Sequence, residues 1–187
     1  MGSGLTMEIR ETQIPEVKIL KTPVFQDVRG YFYEGFRRDA LVGAGIDLDW
    51  KQDNLSFSAK NVIRGLHYQL VHAQAKLIRV VHGAIVDVIV DIRKSSPTFG
   101  KHVVVDLKAG DGLAVLVPAG FAHGFAALEP ETTVLYKVDE SYYPESERTI
   151  LWNDPELAIE WRVRDEDAIV SEKDRRGNSF QSAEVFP

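Results

Sequence analysis

Residues 76–92 read Lys76-Leu-Ile-Arg-Val-Val-His-Gly83-Ala-Ile-Val-Asp-Val-Ile-Val-Asp-Ile92. Two runs rich in β-branched residues meet at a single glycine. Each run is too short for a buried helix and suits a strand of ordinary length, and Gly83 supplies the turn between them. Working outward, similar runs occur at Val62–Leu66, His102–Leu107, Leu113–Val117 and Thr132–Val138. Turn chemistry separates them at Ser95-Ser96-Pro97, Gly110-Asp111-Gly112 and Pro118-Ala119-Gly120. Helical patterning is sparse. Residues 37–44 suit one short helix, and residues 155–159, behind a possible N-cap at Asp154, suit another. The long helices needed for parallel crossovers are missing, so the expected class is all-β: a sandwich or jelly-roll barrel with a few short helices and room for one small ligand inside.

A chain of 187 residues with 44% hydrophobic content can bury one good core, and the whole span 1–187 reads as a single domain. Residues 1–6 precede a second methionine, Met7, and read as a tag remnant or loose arm, while the polar stretch 165–187 reads as a C-terminal arm or loop over the barrel. There is no apolar run of about 18 residues and no charged-apolar-small leader, so the expectation is a cytoplasmic protein that engages no membrane. There are no cysteines, hence no thiolate nucleophile or thiolate ligand. A net charge of -6 argues against nucleic-acid binding, which relies on broad basic surfaces, but local arginines leave an anionic small ligand open.

Of the five histidines, His72, His82 and His102 sit in loop or strand-end contexts and read as surface residues. His67 emerges with Arg64 from the apolar string Val62-Ile-Arg-Gly-Leu-His-Tyr-Gln69. Strict alternation would place the two on opposite faces, and a bulge at Gly65 would turn both toward one cavity. A satisfied core histidine is the plain alternative. His123 lies in Gly112-Leu-Ala-Val-Leu-Val-Pro118-Ala-Gly120-Phe-Ala-His123, a spacing that resembles the second motif of cupins. A cupin metal site also needs His-x-His on an earlier strand, and His67-Tyr68-Gln69 offers one histidine, so neither metal nor cofactor is expected. Tyr136 shares a strand face with Val134 and Val138, which directs its ring inward. Lys76 opens an apolar strand. Asp87 and Asp91 lie on one face of another, with Asp91 read as a surface residue. Histidine, tyrosine, lysine and carboxylate without a metal motif suggest acid–base chemistry.

From about Val24 to Arg175 the chain resembles the dTDP-4-dehydrorhamnose 3,5-epimerases. The strings that carry the resemblance are Asp27-Val-Arg29-Gly30-Tyr31-Phe32-Tyr33-Glu34, Gln52-Asp53-Asn54-Leu-Ser56, Arg64-Gly65-Leu66-His67-Tyr68-Gln69, Lys76-Leu77-Ile78-Arg79, Ser96-Pro97-Thr98-Phe99-Gly100, Pro118-Ala119-Gly120-Phe121-Ala122-His123-Gly124-Phe125, Tyr136-Lys137, Trp152-Asn153-Asp154-Pro155 and Ser171-Glu172-Lys173-Asp174. The resemblance implies a metal-free cupin-like barrel that inverts C3 and C5 of a dTDP-linked 4-keto sugar. It implies His67 as base, Asp174 as the carboxylate behind it, Tyr136 as the opposing acid and Lys76 beside the C4 oxygen, with His123 and Asp87 in support. It assigns the nucleotide sugar to Arg29, Glu34, Gln52, Asp53, Asn54, Arg64, His123, Glu147 and Lys173. It also implies a homodimer with exchanged N-terminal strands, so that Arg29 and Glu34 serve the partner's site. The chain departs from the family strings at Ala75, usually glycine, and at Ala84 and Val86, usually an acid and an aromatic. These changes imply an altered, roomier pocket wall. Relatives that invert a single carbon share the same strings, which leaves the substrate and the number of centres open.

Overall fold

The computed structural model describes residues 7–187; the arm read over residues 1–6 lies outside them. In chain order the strands are β1 (Glu8–Glu11), β2 (Lys18–Lys21), β3 (Phe25–Asp27), β4 (Gly30–Phe32), β5 (Gln52–Ser58), β6 (Val62–Gln69) and β7 (Lys76–His82). There follow β8 (Ala84–Asp91), β9 (His102–Lys108), β10 (Leu113–Val117), β11 (Phe121–Ala127), β12 (Thr132–Val138), β13 (Glu147–Thr149) and β14 (Ile169–Val170). One sheet runs β1-β2-β10-β7-β12-β5 and the other β13-β6-β11-β8-β9, with β14 parallel to β6. β3 and β4 form a separate hairpin. The two facing sheets make a jelly roll, as the strand spacing predicts, of the cupin-like kind that the resemblance implies.

Alternation sorts the apolar residues into three layers. Between the sheets lie Ile78, Val80, Val115, Val117 and Val134 from one side and Ile85, Ile89, Val103, Val105 and Phe125 from the other. Outside the second sheet, Ile63, Leu66, Val86, Val88 and Val90 pack under Trp152, Leu157, Trp161 and Phe180 of the C-terminal third. Outside the first sheet, Leu77, Leu116 and Leu20 lie under Leu41 of α1 (Arg38–Gly43). Burial on both faces explains why β8 reads as a continuous apolar run rather than a clean alternation.

Three local readings change. No helix forms at residues 155–159: Asp154 Oδ1 caps a single turn, accepting from the Glu156 amide at 3.0 Å, and Ala158 has a φ of +47°, which ends the turn. β11 has no β-branched residue, yet it is the middle strand of its sheet and buried throughout, so sheet pairing outweighs propensity. Asp91 is fully buried, not on the surface. Its carboxylate accepts from Arg93 Nε (2.9 Å), Ser96 Oγ (2.5 Å) and Thr98 Oγ1 (2.6 Å), pinning the turn between β8 and β9, and Arg93 lies over the Phe121 ring at 4.5 Å. A strand-end acid looks exposed in the sequence; donors up to seven residues away make its burial tolerable.

Burial raises the Asp91 pKa, but the hydrogen bonds from Arg93, Ser96 and Thr98 outweigh it and hold the group at about 2. The folded value lies below the unfolded value of ~3.9, so this stabilisation is complete above the unfolded value and is lost as pH falls toward 2. Asp91→Ala should cost on the order of 3 kcal/mol at neutral pH, because a buried pair is broken from one side. Its difference from the native protein should narrow in urea titrations run at progressively lower pH; a pH-independent difference would show that packing, not the carboxylate, carries the effect.

Candidate active site

The site is built from a register irregularity. β11 pairs His123 with His67 but Phe125 with Arg64, so β6 spends one more residue than its partner between those positions. The extra residue falls at Gly65, whose φ is +119°. A Cβ there would stand 2.6 Å from the Gly124 Cα, and one on Gly124 would stand 2.6 Å from the Arg64 carbonyl oxygen, so neither strand tolerates a side chain at the crossing. Ile63, Leu66 and Tyr68 therefore share the outer layer, and Arg64 and His67 share the inner face, as the sequence predicts.

His67 Nε2 lies 2.6 Å from Asp174 Oδ1, and Asp174 Oδ2 accepts from the Gly65 amide at 3.3 Å. Asp174 arrives on α2 (Glu172–Arg175), which Ser171 caps by accepting from the Asp174 amide. Burial raises the Asp174 pKa, but the His67 hydrogen bond and charge outweigh it and leave it below the ordinary carboxylate value. An ionised acceptor at Nε2 fixes the proton there and leaves the Nδ1 lone pair of a neutral ring as the basic position. His123 Nε2 bonds Asp87 Oδ1 at 2.7 Å in the same way, deeper in the wall. Desolvation pushes His123 below the usual imidazole value, and Asp87 only partly restores it.

A cavity of about 300 Å³ opens beside His67 and is lined by Gln52, Asn54, His67, Tyr68, Gln69, Gln74, Lys76, Tyr136, Tyr142 and Glu147. Lys76 and Tyr136 come from the first sheet and His67 from the second, so they face each other across the interior. Burial lowers the Lys76 pKa to about 8, against attraction from Asp87 and Glu147. Burial raises that of Tyr136, which keeps its hydroxyl protonated and able to donate. Among the described residues no group of three or more His, Asp or Glu side chains is arranged to hold a metal ion.

The remaining expected residues divide. Glu147 lines the cavity and ties its rim, with Oε2 accepting from Lys173 Nζ at 2.5 Å and from the Tyr142 hydroxyl at 2.7 Å. Arg64 shares the inner face but turns to β5, donating to Ser58 Oγ and the Phe57 carbonyl. Asp53 points outward and pairs with Lys137 at 2.6 Å, because alternation along β5 sends it opposite to Gln52 and Asn54. Arg29 sits on the exposed β3–β4 hairpin, bound to Asp27, and Glu34 pairs with Arg37 at 3.3 Å; neither lines this chain's cavity. Val86 does not widen the wall as expected: it packs in the layer outside the second sheet, on the face opposite Asp87. Ala75 has no positive φ, and its amide donates to Asp139 Oδ1 at 2.7 Å, so the added methyl is accommodated. Gln74 and Tyr142 were not singled out from the sequence. Gln74 adjoins the lysine, which was a usable signal; Tyr142 lies in a loop without one.

An interior with an imidazole on one wall and a hydroxyl on the other defines a proton-transferring enzyme of the jelly-roll class. The description "dTDP-4-dehydrorhamnose 3,5-epimerase" belongs to the family model that matches residues 11–182. The chain is 45% identical to the dTDP-4-dehydrorhamnose 3,5-epimerase of Pseudomonas aeruginosa over 97% of this chain and 100% of that protein. It is 46% identical to the Shigella flexneri enzyme of the same name, over 96% and 99%. A crystal structure of dTDP-6-deoxy-D-glucose-3,5-epimerase from Legionella pneumophila in complex with dTDP-4-keto-L-rhamnose superposes with a TM-score of 0.91 at 41% identity, covering 95% of each chain. The chain belongs to the dTDP-4-dehydrorhamnose 3,5-epimerase family.

The His67–Asp174 geometry makes Nε2–H the expected tautomer of the neutral His67 ring in the free protein. Long-range ¹⁵N–¹H NMR should show this directly, and Asp174→Asn should mix the tautomers; a dominant Nδ1–H form in the native protein would contradict the assignment.

Proposed function

We propose that this protein epimerises dTDP-4-dehydro-6-deoxy-D-glucose at C3 and C5, giving dTDP-4-dehydro-L-rhamnose, by proton transfer between His67 and Tyr136 without metal or cofactor. The observation that carries the reading is the placement of the two groups on opposite sheets of one cavity. A carbonyl at C4 acidifies the protons on C3 and C5. His67 Nδ1 removes one of them, with Asp174 stabilising the imidazolium that forms. The electron pair moves onto the C4 oxygen, where the Lys76 ammonium meets charge that is absent from the ground state. Tyr136 then returns a proton to the carbon from the other face, and the centre is inverted.

The cavity of about 300 Å³ suits a sugar ring rather than a whole nucleotide, so the diphosphate and base extend over the mouth. Gln52, Asn54, Arg64, His123, Glu147 and Lys173 serve the sugar and its diphosphate from this chain. Arg29 and Glu34 serve a partner's site in a homodimer with exchanged N-terminal strands. The exposed hairpin supports this: Phe25, Tyr31 and Phe32 are each more than half exposed, an apolar surface that a second chain would cover. Val86 lies outside the wall and the cavity opens at its mouth, which supports a ring free to present both centres.

In D₂O the product should carry deuterium at both C3 and C5 by NMR and reduce to a rhamnose; label confined to C3 after long incubation would make this a single-centre epimerase. His67→Asn should lower the rate by at least ~10³-fold, about 4 kcal/mol in the barrier, while retaining dTDP binding. Tyr136→Phe should leave solvent exchange running ahead of inversion, because the base can still remove a proton and return it to the same face. Equal loss of exchange and inversion would remove Tyr136 from the role of dedicated acid.

A further inference from the structure

Among the described residues, Asp87 is the one carboxylate with a buried oxygen that has no hydrogen-bond partner. It sits on β8 with no exposed surface, its Oδ1 is occupied by His123 at 2.7 Å, and its Oδ2 is buried with no hydrogen-bond partner among the described residues. An unanswered buried carboxylate oxygen costs folding free energy, so its presence needs a compensating charge. Across the interior, Lys76 is buried and likewise makes no hydrogen bond to a described side chain or carbonyl. We infer that Asp87, held in orientation by His123, is a positioning residue whose charge keeps the Lys76 ammonium protonated at the cavity wall. The inference rests on the role given to Lys76 in the proposed reaction.

The other groups around Lys76 do not replace Asp87. His67 from β6 and His123 from β11 add no negative charge; His123 is held neutral by its burial. Tyr136 from β12 is a protonated phenol, and β10 brings apolar Val117 alongside. Glu147 from β13 is the second negative charge, but it already serves Lys173 and Tyr142 at the rim, and its attraction on Lys76 ranks below that of Asp87. Asp139, at the end of β12 beside Lys76, is turned to the Ala75 amide. Attraction between two buried groups is screened less than attraction to a group at the rim, so the enclosed carboxylate has the larger hold. With Lys76 titrating at about 8, removal of that attraction brings the loss of its charge into the neutral range.

The test is the titration of Lys76 in protein labelled with [ε-¹³C]lysine, its resonance identified by its absence in Lys76→Arg. Asp87→Asn keeps the shape and removes the charge, and Asp87→Ser removes the same charge if the Asn variant does not fold. Either should lower the Lys76 midpoint by about one pH unit or more. Glu147→Gln should lower it less. In turnover, Asp87→Asn should lose at least about fourfold more activity at pH 8 than at pH 6.5, through kcat, with KM changed no more than about twofold. A merely structural aspartate would lower the rate equally at both pH values and leave the Lys76 midpoint where it was, and that result would overturn the inference. A shifted midpoint in a protein whose native form does not turn over the dTDP sugar would instead overturn the proposed reaction and leave the Asp87–Lys76 coupling standing.

Discussion

The close approach of two backbones where β6 crosses β11 at Gly65 and Gly124 is the constraint on which the site depends. A Cβ on either residue would overlap the other strand at 2.6 Å, so the approach exists only because both are glycine. The approach carries the extra residue of β6, and that residue decides which side chains look inward. Without it, alternation would set Arg64 and His67 on opposite faces, and a histidine facing the Trp161 layer would meet no substrate. The same glycine offers its amide to Asp174, so the device that turns His67 inward also helps anchor the carboxylate behind it.

Around this crossing the interior separates charges that are fully answered from charges that are not. Asp91, at one end of β8, is surrounded by donors from its own turn and acts as a structural pin. Four residues earlier on the same face, Asp87 has one donor and one bare oxygen, within electrostatic reach of a buried lysine. Two aspartates with the same strand context thus end in different surroundings, and the difference lies in what their neighbours supply. Electrostatic stabilisation of a developing oxyanion needs charges that the fold holds in place before the substrate arrives, at a cost met by the rest of the core. The three apolar layers supply that stability, with the C-terminal third covering the second sheet and α1 covering the first.

The all-β class was legible because β-branched runs such as Ala84–Ile92 and single-glycine turns such as Gly83 act over a few residues, and the physics that sets them is equally local. The bulge at Gly65 was legible for the same reason, since one glycine inside an otherwise apolar strand with two polar residues leaves few arrangements that bury them together. Motif strings in a fixed order identified the family and named His67, Lys76, Tyr136 and Asp174 before any fold was in view. Local signals failed where pairing or distant donors decided the outcome. β11 lacks strand propensity but is held by β6 and β8 on either side, and Asp91 reads as a surface acid until Arg93, Ser96 and Thr98 close around it. Only the tertiary structure brings Asp174 within 2.6 Å of a histidine 107 residues earlier, sends Asp53 and Val86 away from the cavity, and sets Lys76 against Asp87. Those relations depend on which strands neighbour one another and which face each side chain takes, and on the low dielectric that exists only once the sheets have closed.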